Sequence, residues 1–525
     1  MTIRDETMIT FVISLIALVL GYLVYGAIME RIMRPDDRET PAVRLADGVD
    51  YVALPTWKVF MIQFLNIAGT GPIFGAIMGM WFGPASYLWI VLGCIFAGAV
   101  HDFMSGMLSL RHDGANLPTL IGKYLGGGAR NVMLVFTVLL LMMVGAVFVY
   151  SPALILSSMW GGNDSTIVWI VIIFAYYIIA TLLPIDKIIG RVYPLFAIAL
   201  LVMAAGLLIG LFVKMPHVPE LWNMADMSQW TSNQVVDGKD TLGIVAYLQN
   251  NPVFPCLFIT IACGAISGFH ATQSPLMARC LKSERLARPV FYGAMITEGL
   301  VALIWATVSS YFFYYGGWKE VVSAEEVTKF MAQVQLADGQ TLIQYFKAPQ
   351  VVKLVCSGWL GIVGGTLAVL GVVAAPITSG DTAFRSARLI IAESLHFEQK
   401  NMVRRLMISV PLFVASLLLL IWQMENPDGF NVLWQYFGWS NQALSVFTLW
   451  MITVFLARNH KAYMITLIPA IFMTVVCTTF LIASPQALGR PDLTYYVIGS
   501  VTLIAIVWFV LWLRKDRAKG LIHED

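Results

Sequence analysis

The sequence predicts an all-α membrane protein of about thirteen transmembrane helices, most of them in two sets of five with opposite topology. Of its 525 residues, 58% are hydrophobic and only 12% are charged, which leaves too little polar surface to cover a water-soluble protein. The chain also contains a series of apolar runs about 20 residues long, and its basic residues collect in alternate connecting segments. The net charge of +2 gives no support for nucleic acid as a partner.

The predicted spans are runs long enough to cross the hydrocarbon core of a bilayer. They cover residues 8–29, 59–82, 86–110, 131–152, 166–184, 192–213, 253–278, 290–315, 351–378, 405–423, 430–456, 462–483 and 494–513. The first run is too long for the apolar part of a signal peptide, so we expect it to stay as a helix. The six cysteines lie in or beside apolar runs without zinc spacing, and no cofactor is expected.

The basic residues predict the orientation of the chain. Alternate connecting segments hold about three quarters of the 33 lysines and arginines, whereas two long loops at 214–252 and 316–350 lean acidic. Since basic segments face the cytoplasm, we expect the N-terminus outside and the C-terminus inside. In the second long loop, Ser323-Ala-Glu-Glu326 fits a capping box that begins a short helix, and a plain solvated loop is the alternative.

This topology divides the chain into five parts. They are a peripheral first helix and cytoplasmic loop (1–58), a first five-helix repeat (59–213), an outer loop (214–252), a second and inverted five-helix repeat (253–456), and two accessory helices with a cytoplasmic tail (457–525).

Two spans contain residues that break helices. In the second span, Gly69-Thr-Gly-Pro72 predicts an unwound segment, and Pro72 fits the first turn of a new half-helix. In the seventh span, Ser274-Pro275 fits the N-cap and first residue of another half-helix. An isolated break is explained as well by close packing or a kink. Two breaks that each open one of two inverted repeats favour a transporter binding site near the bilayer midplane.

A half-helix that starts at Pro72 presents free N–H groups and the positive end of its dipole, which suits a carboxylate. The carbonyl groups just before the break suit a cation. The residues around both breaks are therefore the predicted substrate-binding set: Gly69, Thr70, Gly71, Ser267, Gly268, His270, Gln273 and Ser274.

Ionisable residues inside spans are candidates for ion coupling, because their burial is costly. They are His101 and Asp102 in the third span, Glu298 in the eighth, and Asp381 at the inner end of the ninth. The His101-Asp102 pair could relay protons, or it could link neighbouring helices structurally. One histidine with scattered carboxylates is weak support for a metal site. Trp434 in the eleventh span fits core packing and substrate contact equally well.

Four segments resemble the carbon starvation protein A family. They are Gly69-Thr-Gly-Pro-Ile-Phe-Gly75, Gly98-Ala-Val-His-Asp-Phe-Met-Ser-Gly106, Gly264-Ala-Ile-Ser-Gly-Phe-His-Ala-Thr-Gln-Ser-Pro-Leu-Met-Ala-Arg279 and Thr378-Ser-Gly-Asp-Thr-Ala-Phe-Arg385. The resemblance extends from the first span through the eleventh. It implies a bacterial inner-membrane transporter that takes up peptides under carbon starvation, with relatives that carry pyruvate together with protons. It also implies a core similar to the leucine-transporter-like group, with five-plus-five inverted repeats.

The same resemblance suggests a position for a coupling ion. The ninth span would match the eighth core helix of that group, so Thr378 and Ser379 would face the carbonyls of Ile67 and Ala68 and hold sodium. Asp381 beside them leaves proton coupling open. The expected partners are a small-molecule substrate, a co-transported proton or sodium ion, and membrane lipid.

The sequence therefore predicts secondary active uptake of peptides, coupled to protons, by alternating access. Proton- or sodium-coupled uptake of pyruvate or another small carboxylate is the alternative. An intramembrane enzyme would need a catalytic set such as HExxH or GxSxG within a span, and neither motif is found. A channel or nutrient sensor on the same scaffold stays open.

Overall fold

A computed structural model of the chain describes residues 8–160, 165–182, 189–224, 235–236, 239–334, 341–397, 402–426, 429–485 and 487–519. These residues are mostly helical, apart from loops and one small hairpin in which β1 (Val235–Val236) pairs antiparallel with β2 (Lys239–Asp240). The predicted all-α class is confirmed.

The helices of the first half are α1 (Ile9–Met33), α2 (Thr56–Ala68), α3 (Gly71–Phe82), α4 (Ala85–Arg111), α5 (Leu117–Leu125), α6 (Gly127–Met159), α7 (Thr166–Leu182) and α8 (Ile189–Lys214). The helices of the second half are α9 (Ile244–Asn250), α10 (Val253–Thr260), α11 (Gly268–Ala278), α12 (Glu284–Tyr314), α13 (Ala324–Val334), α14 (Ala348–Ser394), α15 (Met402–Glu425), α16 (Gly429–Arg458), α17 (Met464–Ala483) and α18 (Pro491–Ala518). Short helical turns lie in the loops at Pro41–Arg44, Leu221–Asn223, Trp318–Val321 and Leu342–Tyr345.

The number of spans is close to the predicted one. Among the described residues, ten helices are long and apolar enough to cross a membrane, or eleven if the bent pair α2 and α3 counts as one span. The other two predicted spans are helical but shorter, since α7 has 17 residues and the seventh span is divided between α10 and α11. The count of thirteen, like the division into two repeats, therefore stays a prediction.

The predicted end of the ninth span at residue 378 is wrong. Helix α14 continues to Ser394, and its apolar, membrane-length part is Gly364–Ser394. Arg385 and Arg388 lowered the hydropathy of this stretch, but both are fully buried in the protein. Asp50 Oδ1 lies 3.4 Å from Arg385 and 3.5 Å from Arg388. Charged side chains with a partner can be buried inside a bundle, so hydropathy alone placed the end too early.

One contact between the N-terminal end of α1 and a long loop agrees with the charge alternation. Glu220, in the loop after α8, accepts hydrogen bonds from the N–H groups of Ile9 and Thr10, at 2.9 and 2.7 Å. The N-terminal end of α1 therefore lies beside that long loop. In the other long loop, Ser323 Oγ accepts the N–H of Glu326 at 3.2 Å, and the predicted short helix α13 is confirmed.

At the opposite, basic end, the segment between α1 and α2 (residues 34–55, here called the strap) covers the end of α11. The N–H groups of Val52 and Leu54 donate to the carbonyls of Arg279 and Cys280, at 3.2 and 3.0 Å. The Thr40 hydroxyl donates to the carbonyl of Leu281 at 2.6 Å. The strap thus closes the bundle at this end.

We expect Asp50→Asn to destabilise the protein, because Asp50 holds the strap against the buried guanidinium groups of Arg385 and Arg388. Removing one partner from a buried charge pair typically costs about 3–5 kcal/mol. The measurement is the midpoint of thermal unfolding in detergent. Asp492→Asn is the matched control, since Asp492 pairs with Arg490 on the exposed surface, and no change is expected there. An equal midpoint for both variants would contradict the prediction.

Candidate functional site

The first break lies between α2 and α3, as the sequence predicts. Helix α2 ends at Ala68, and Gly69 follows with a φ of +48°, a left-handed value that glycine adopts without strain. Helix α3 begins at Gly71 with Pro72 in its first turn, and the two helices are bent by 52°.

The second break lies between α10 and α11, at residues 261–267, earlier than predicted. Helix α11 begins at Gly268, so Ser274 and Pro275 lie within it, and Ser274 donates to the His270 carbonyl at 3.1 Å. The predicted start at Ser274-Pro275 is therefore wrong. The actual cap comes from another helix: Asn441 Oδ1 on α16 accepts the N–H of Phe269 at 2.7 Å and the hydroxyl of Ser267 at 3.0 Å.

The two breaks pack directly against each other. A Cβ atom added at Gly71 would collide with Cβ and Sγ of Cys263, and one added at Gly75 would lie 2.9 Å from the carbonyl oxygen of Thr260. Glycine at these positions therefore allows the close approach of α3 to the segment between α10 and α11.

Beside this contact lie four fully buried ionisable residues, here called the His–carboxylate cluster: His101, Asp102, His270 and Glu298. Asp102 Oδ1 is 2.7 Å from His101 Nδ1, and Asp102 Oδ2 is 2.8 Å from His270 Nδ1. His270 Nε2 is 3.4 Å from Glu298 Oε2. The sequence analysis placed His270 among the substrate-binding residues, whereas the structure brings it between two predicted ion-coupling residues.

Asp102 faces Nδ1 of both histidines. An ionised carboxylate accepts a hydrogen bond from each Nδ1–H, and Nε2 of a neutral histidine is then an acceptor, whereas a protonated histidine donates from both ring nitrogens. His270 Nε2 then faces a Glu298 oxygen, and among the described residues no group donates a hydrogen bond to either Glu298 oxygen. Two acceptors at this separation repel each other, and a proton between them removes the repulsion.

The same region also meets the spacing of a metal site. Cys263, His270 and Glu298 each offer one ligand atom, and these atoms lie within 4.8 Å of one another. Thiolate, imidazole and carboxylate are the ligand types that zinc uses in proteins, so the grouping meets the donor chemistry of a metal site as well as its spacing.

The predicted sodium position is formed only in part. The Ser379 hydroxyl donates to the carbonyl of Leu65 at 3.0 Å, so α14 does meet the end of α2. The Thr378 hydroxyl instead bonds to its own helix, at the carbonyls of Ala374 and Ala375. Ile67 and Ala68 are buried in α2. The sodium site stays a prediction.

Asp381 is separate from the His–carboxylate cluster in its hydrogen bonding. It lies within α14, and its carboxylate accepts a hydrogen bond from the hydroxyl of Tyr193 on α8. The sequence placed Asp381 at the end of a span, and the longer α14 instead buries it completely.

A cavity of about 550 Å³ opens at the end of the bundle that holds the two long loops. Its wall includes Phe74 from α3, Thr260 from α10, and Trp434 and Gln435 from α16, together with loop residues. The rings of Phe74 and Trp434 lie with their centroids 6.0 Å apart. None of the eight predicted substrate-binding residues lines this cavity among the described parts of the chain; all eight are buried.

Most of this wall was not predicted from the sequence. The sequence left Trp434 open between packing and substrate contact, and it did not single out Phe74, Thr260 or Gln435 as contacts of a substrate. Their position in the sequence could have indicated two of them, because Phe74 and Thr260 each lie within one helical turn of a break. The sequence does not show which side of a break opens into a cavity.

The arrangement of broken and continuous helices is similar to that of a solved membrane-protein structure. A mutant of the manganese transporter of Eremococcus coleocola superposes with a TM-score of 0.52, over 90% of this chain and 99% of that chain, at 13% sequence identity. At that identity the likeness concerns the fold alone. The fold is thus similar to that of a solved transporter, which agrees with the predicted leucine-transporter-like core.

The chain belongs to the carbon starvation protein CstA family, whose sequence profile matches residues 6–163 and 154–480. An uncharacterized membrane protein of Haemophilus influenzae is 44% identical over 351 residues, which are 59% of this chain and 92% of the relative. The peptide transporter CstA of Escherichia coli is 26% identical, over 92% of this chain and 81% of its own. The pyruvate/proton symporter BtsT of Escherichia coli is 29% identical, over 56% of this chain and 47% of its own. The predicted family is confirmed, and the protein is a transporter of that family.

Proposed function

We propose that this protein takes up peptides across the bacterial inner membrane, coupled to protons, by alternating access, with its N-terminus outside and its C-terminus in the cytoplasm. The observation that supports proton coupling best is the buried pair of His270 Nε2 and Glu298 Oε2, 3.4 Å apart. The two-sidedness of the bundle supports alternating access, since a cavity opens at one end while the strap closes the other.

The cluster links the helices that must move. Asp102 lies on α4, His270 lies in the first turn of α11, and Glu298 lies on α12. A proton shared by His270 and Glu298 attracts α11 to α12, and its loss leaves two acceptors that repel each other. Protonation can therefore bias the position of α11, which is one side of the contact between the breaks.

The properties of the cavity favour a peptide over a small carboxylate. Its volume of about 550 Å³ lies in the usual range for small-molecule sites, ~300–1,000 Å³, and exceeds what a three-carbon acid requires. The start of α3 is also a weaker anion site than the sequence suggests. Pro72 has no N–H, and the N–H of Ile73 donates to the Thr70 carbonyl at 3.2 Å.

Uptake of pyruvate is the second candidate, because one relative is named a pyruvate/proton symporter. Lys347, which lines the cavity, would be the cation available to its carboxylate.

Purified protein in proteoliposomes tests both candidates. We expect an inward proton gradient to drive accumulation of dialanine above its external concentration, and a sodium gradient to have no effect. Accumulation with sodium alone would contradict proton coupling, and accumulation of pyruvate without dialanine would contradict the peptide substrate. Flux that runs only downhill and ignores both gradients would favour a channel or sensor. Conversion of either substrate by the purified protein would point to an enzyme.

A further inference from the structure

One face of α2 is polar although it is buried inside the bundle. Gln63, Asn66 and Thr70 are spaced three and four residues apart, which places them on one side of the helix and its unwound end. All three are 0% exposed. Gln63 and Asn66 lie on α2, between the strap and the first break, and Thr70 lies in the break itself; Phe74 and the cavity follow on the other side of the break.

The polar atoms of this face are without hydrogen-bond partners among the described residues. Both side-chain polar atoms of Gln63, both of Asn66 and the hydroxyl of Thr70 lack a hydrogen bond within the described part of the chain. Burying donors and acceptors without partners is destabilising, and buried polar groups of this kind call for a reason. Five such atoms on one helical face beside a transporter's broken helix point to a ligand.

The second broken span has an unpartnered polar atom of its own among the described residues, on a helix that packs on α2. Helix α11 packs on α2, and its Gln273 is also fully buried. Gln273 Nε2 donates to the Thr272 hydroxyl at 2.8 Å, and Gln273 Oε1 has no partner among the described residues.

The chemistry of these groups selects among ligands. A carboxamide offers both a donor and an acceptor, as a peptide bond does. A monocarboxylate offers only acceptors and would leave the amide oxygens of Gln63 and Asn66 unmatched. A sodium ion would match the oxygens and leave both NH₂ groups unmatched.

We infer that Gln63, Asn66 and Thr70, together with Gln273, bind backbone amide groups of the peptide substrate on the release side of the breaks. This inference rests on the proposed peptide transport. The peptide first enters the cavity at the long-loop end and reaches this face when the contact between Phe74 and Trp434 opens.

The test compares single variants in proteoliposomes and in detergent. For Gln63→Leu, Asn66→Leu and Thr70→Val, we expect the half-saturating concentration of dialanine to rise about tenfold, the worth of roughly one hydrogen bond. The midpoint of thermal unfolding should stay equal or rise, because each change removes buried polar atoms that have no partner. Gln63→Met, closer in shape to glutamine, provides a second variant at that position.

Two matched controls come from other helices. Gln423 on α15 and Thr137 on α6 are also buried with unpartnered side-chain polar atoms. Gln423→Leu and Thr137→Val should leave dialanine transport unchanged. An effect of the controls equal to that of the α2 variants would overturn the inference.

A substrate analogue tests the amide directly. In the ester analogue of dialanine, an oxygen replaces the peptide N–H, and the wild-type protein should bind it about tenfold more weakly than dialanine. Asn66→Leu should reduce this preference. If the wild-type protein accumulates dialanine and every α2 variant has the same half-saturating concentration, the amide site is refuted and the proposed function stands. If the wild-type protein does not transport dialanine, the proposed function itself is refuted. A lowered midpoint in every α2 variant would show a structural role and overturn the inference.

Discussion

Glu298→Gln is expected to abolish proton-driven accumulation of substrate, by at least about 100-fold, the scale on which a proton-transferring side chain typically acts. Glutamine keeps the shape of glutamate, but it cannot take up or release a proton at neutral pH. The NH₂ group of the glutamine would donate a permanent hydrogen bond to His270 Nε2 and hold α11 against α12. In the wild-type protein, a proton at this position can bind and be released. The measurement is uptake against a concentration gradient in proteoliposomes.

Two further measurements separate coupling from folding. Exchange of internal for external substrate at equal pH requires no net proton transfer, so we expect it to persist in Glu298→Gln. Glu30→Gln is the matched control, because Glu30 is partly exposed and pairs with Arg288 at 2.9 Å, away from the cluster. Proton-driven accumulation by Glu298→Gln at the wild-type rate would show that this residue does not couple the proton.

Gly71→Leu is expected to abolish uptake, again by at least about 100-fold, while the protein still inserts into the membrane. The reason is local: any Cβ at Gly71 collides with Cys263 in the segment between α10 and α11. Separating the two breaks misplaces groups whose position matters on the scale of about 1 Å. Membrane insertion is checked by the amount of monodisperse protein after extraction, and transport by initial rates.

A control variant and a double variant test whether the collision at Gly71 causes the loss of uptake. Gly499 on α18 has no atom within 4 Å of an added Cβ, so Gly499→Leu should transport normally. If the collision is the cause, Gly71→Ala should lose activity and the double variant Gly71→Ala with Cys263→Gly should regain it. Normal uptake by a correctly inserted Gly71→Leu protein would show that the breaks do not form the site.

The break between α2 and α3 could be predicted because its cause is local. Gly69 adopts a positive φ, and Pro72 fits the first turn of a helix; both are properties of the residues themselves. The alternation of basic segments was also readable from the sequence, since it requires only the order of the spans and the positions of lysine and arginine. In agreement with this alternation, Glu220 in the long loop after α8 lies beside Ile9 at the start of α1.

The break between α10 and α11 was misplaced because its cap is not local. Asn441 supplies the cap to the N–H of Phe269 from 172 positions away in sequence. Ser274-Pro275 had the local pattern of a helix start, yet a proline inside α11 removes only one backbone hydrogen bond there. The end of α14 was misplaced for a related reason, since Asp50 from the strap accompanies its buried arginines.

The sequence by itself indicated a membrane-embedded helical protein with broken spans, because composition, span length and glycine–proline motifs are local properties, and the resemblance of four of its segments indicated the family. Only the tertiary structure decided which polar residues meet. It brought His270 between Asp102 and Glu298 and placed the cavity against Phe74 and Trp434. Within the described part of the chain, it also left the side chains of Gln63 and Asn66 without hydrogen-bond partners. These are contacts between helices distant in sequence, and the packing of the whole bundle sets their distances.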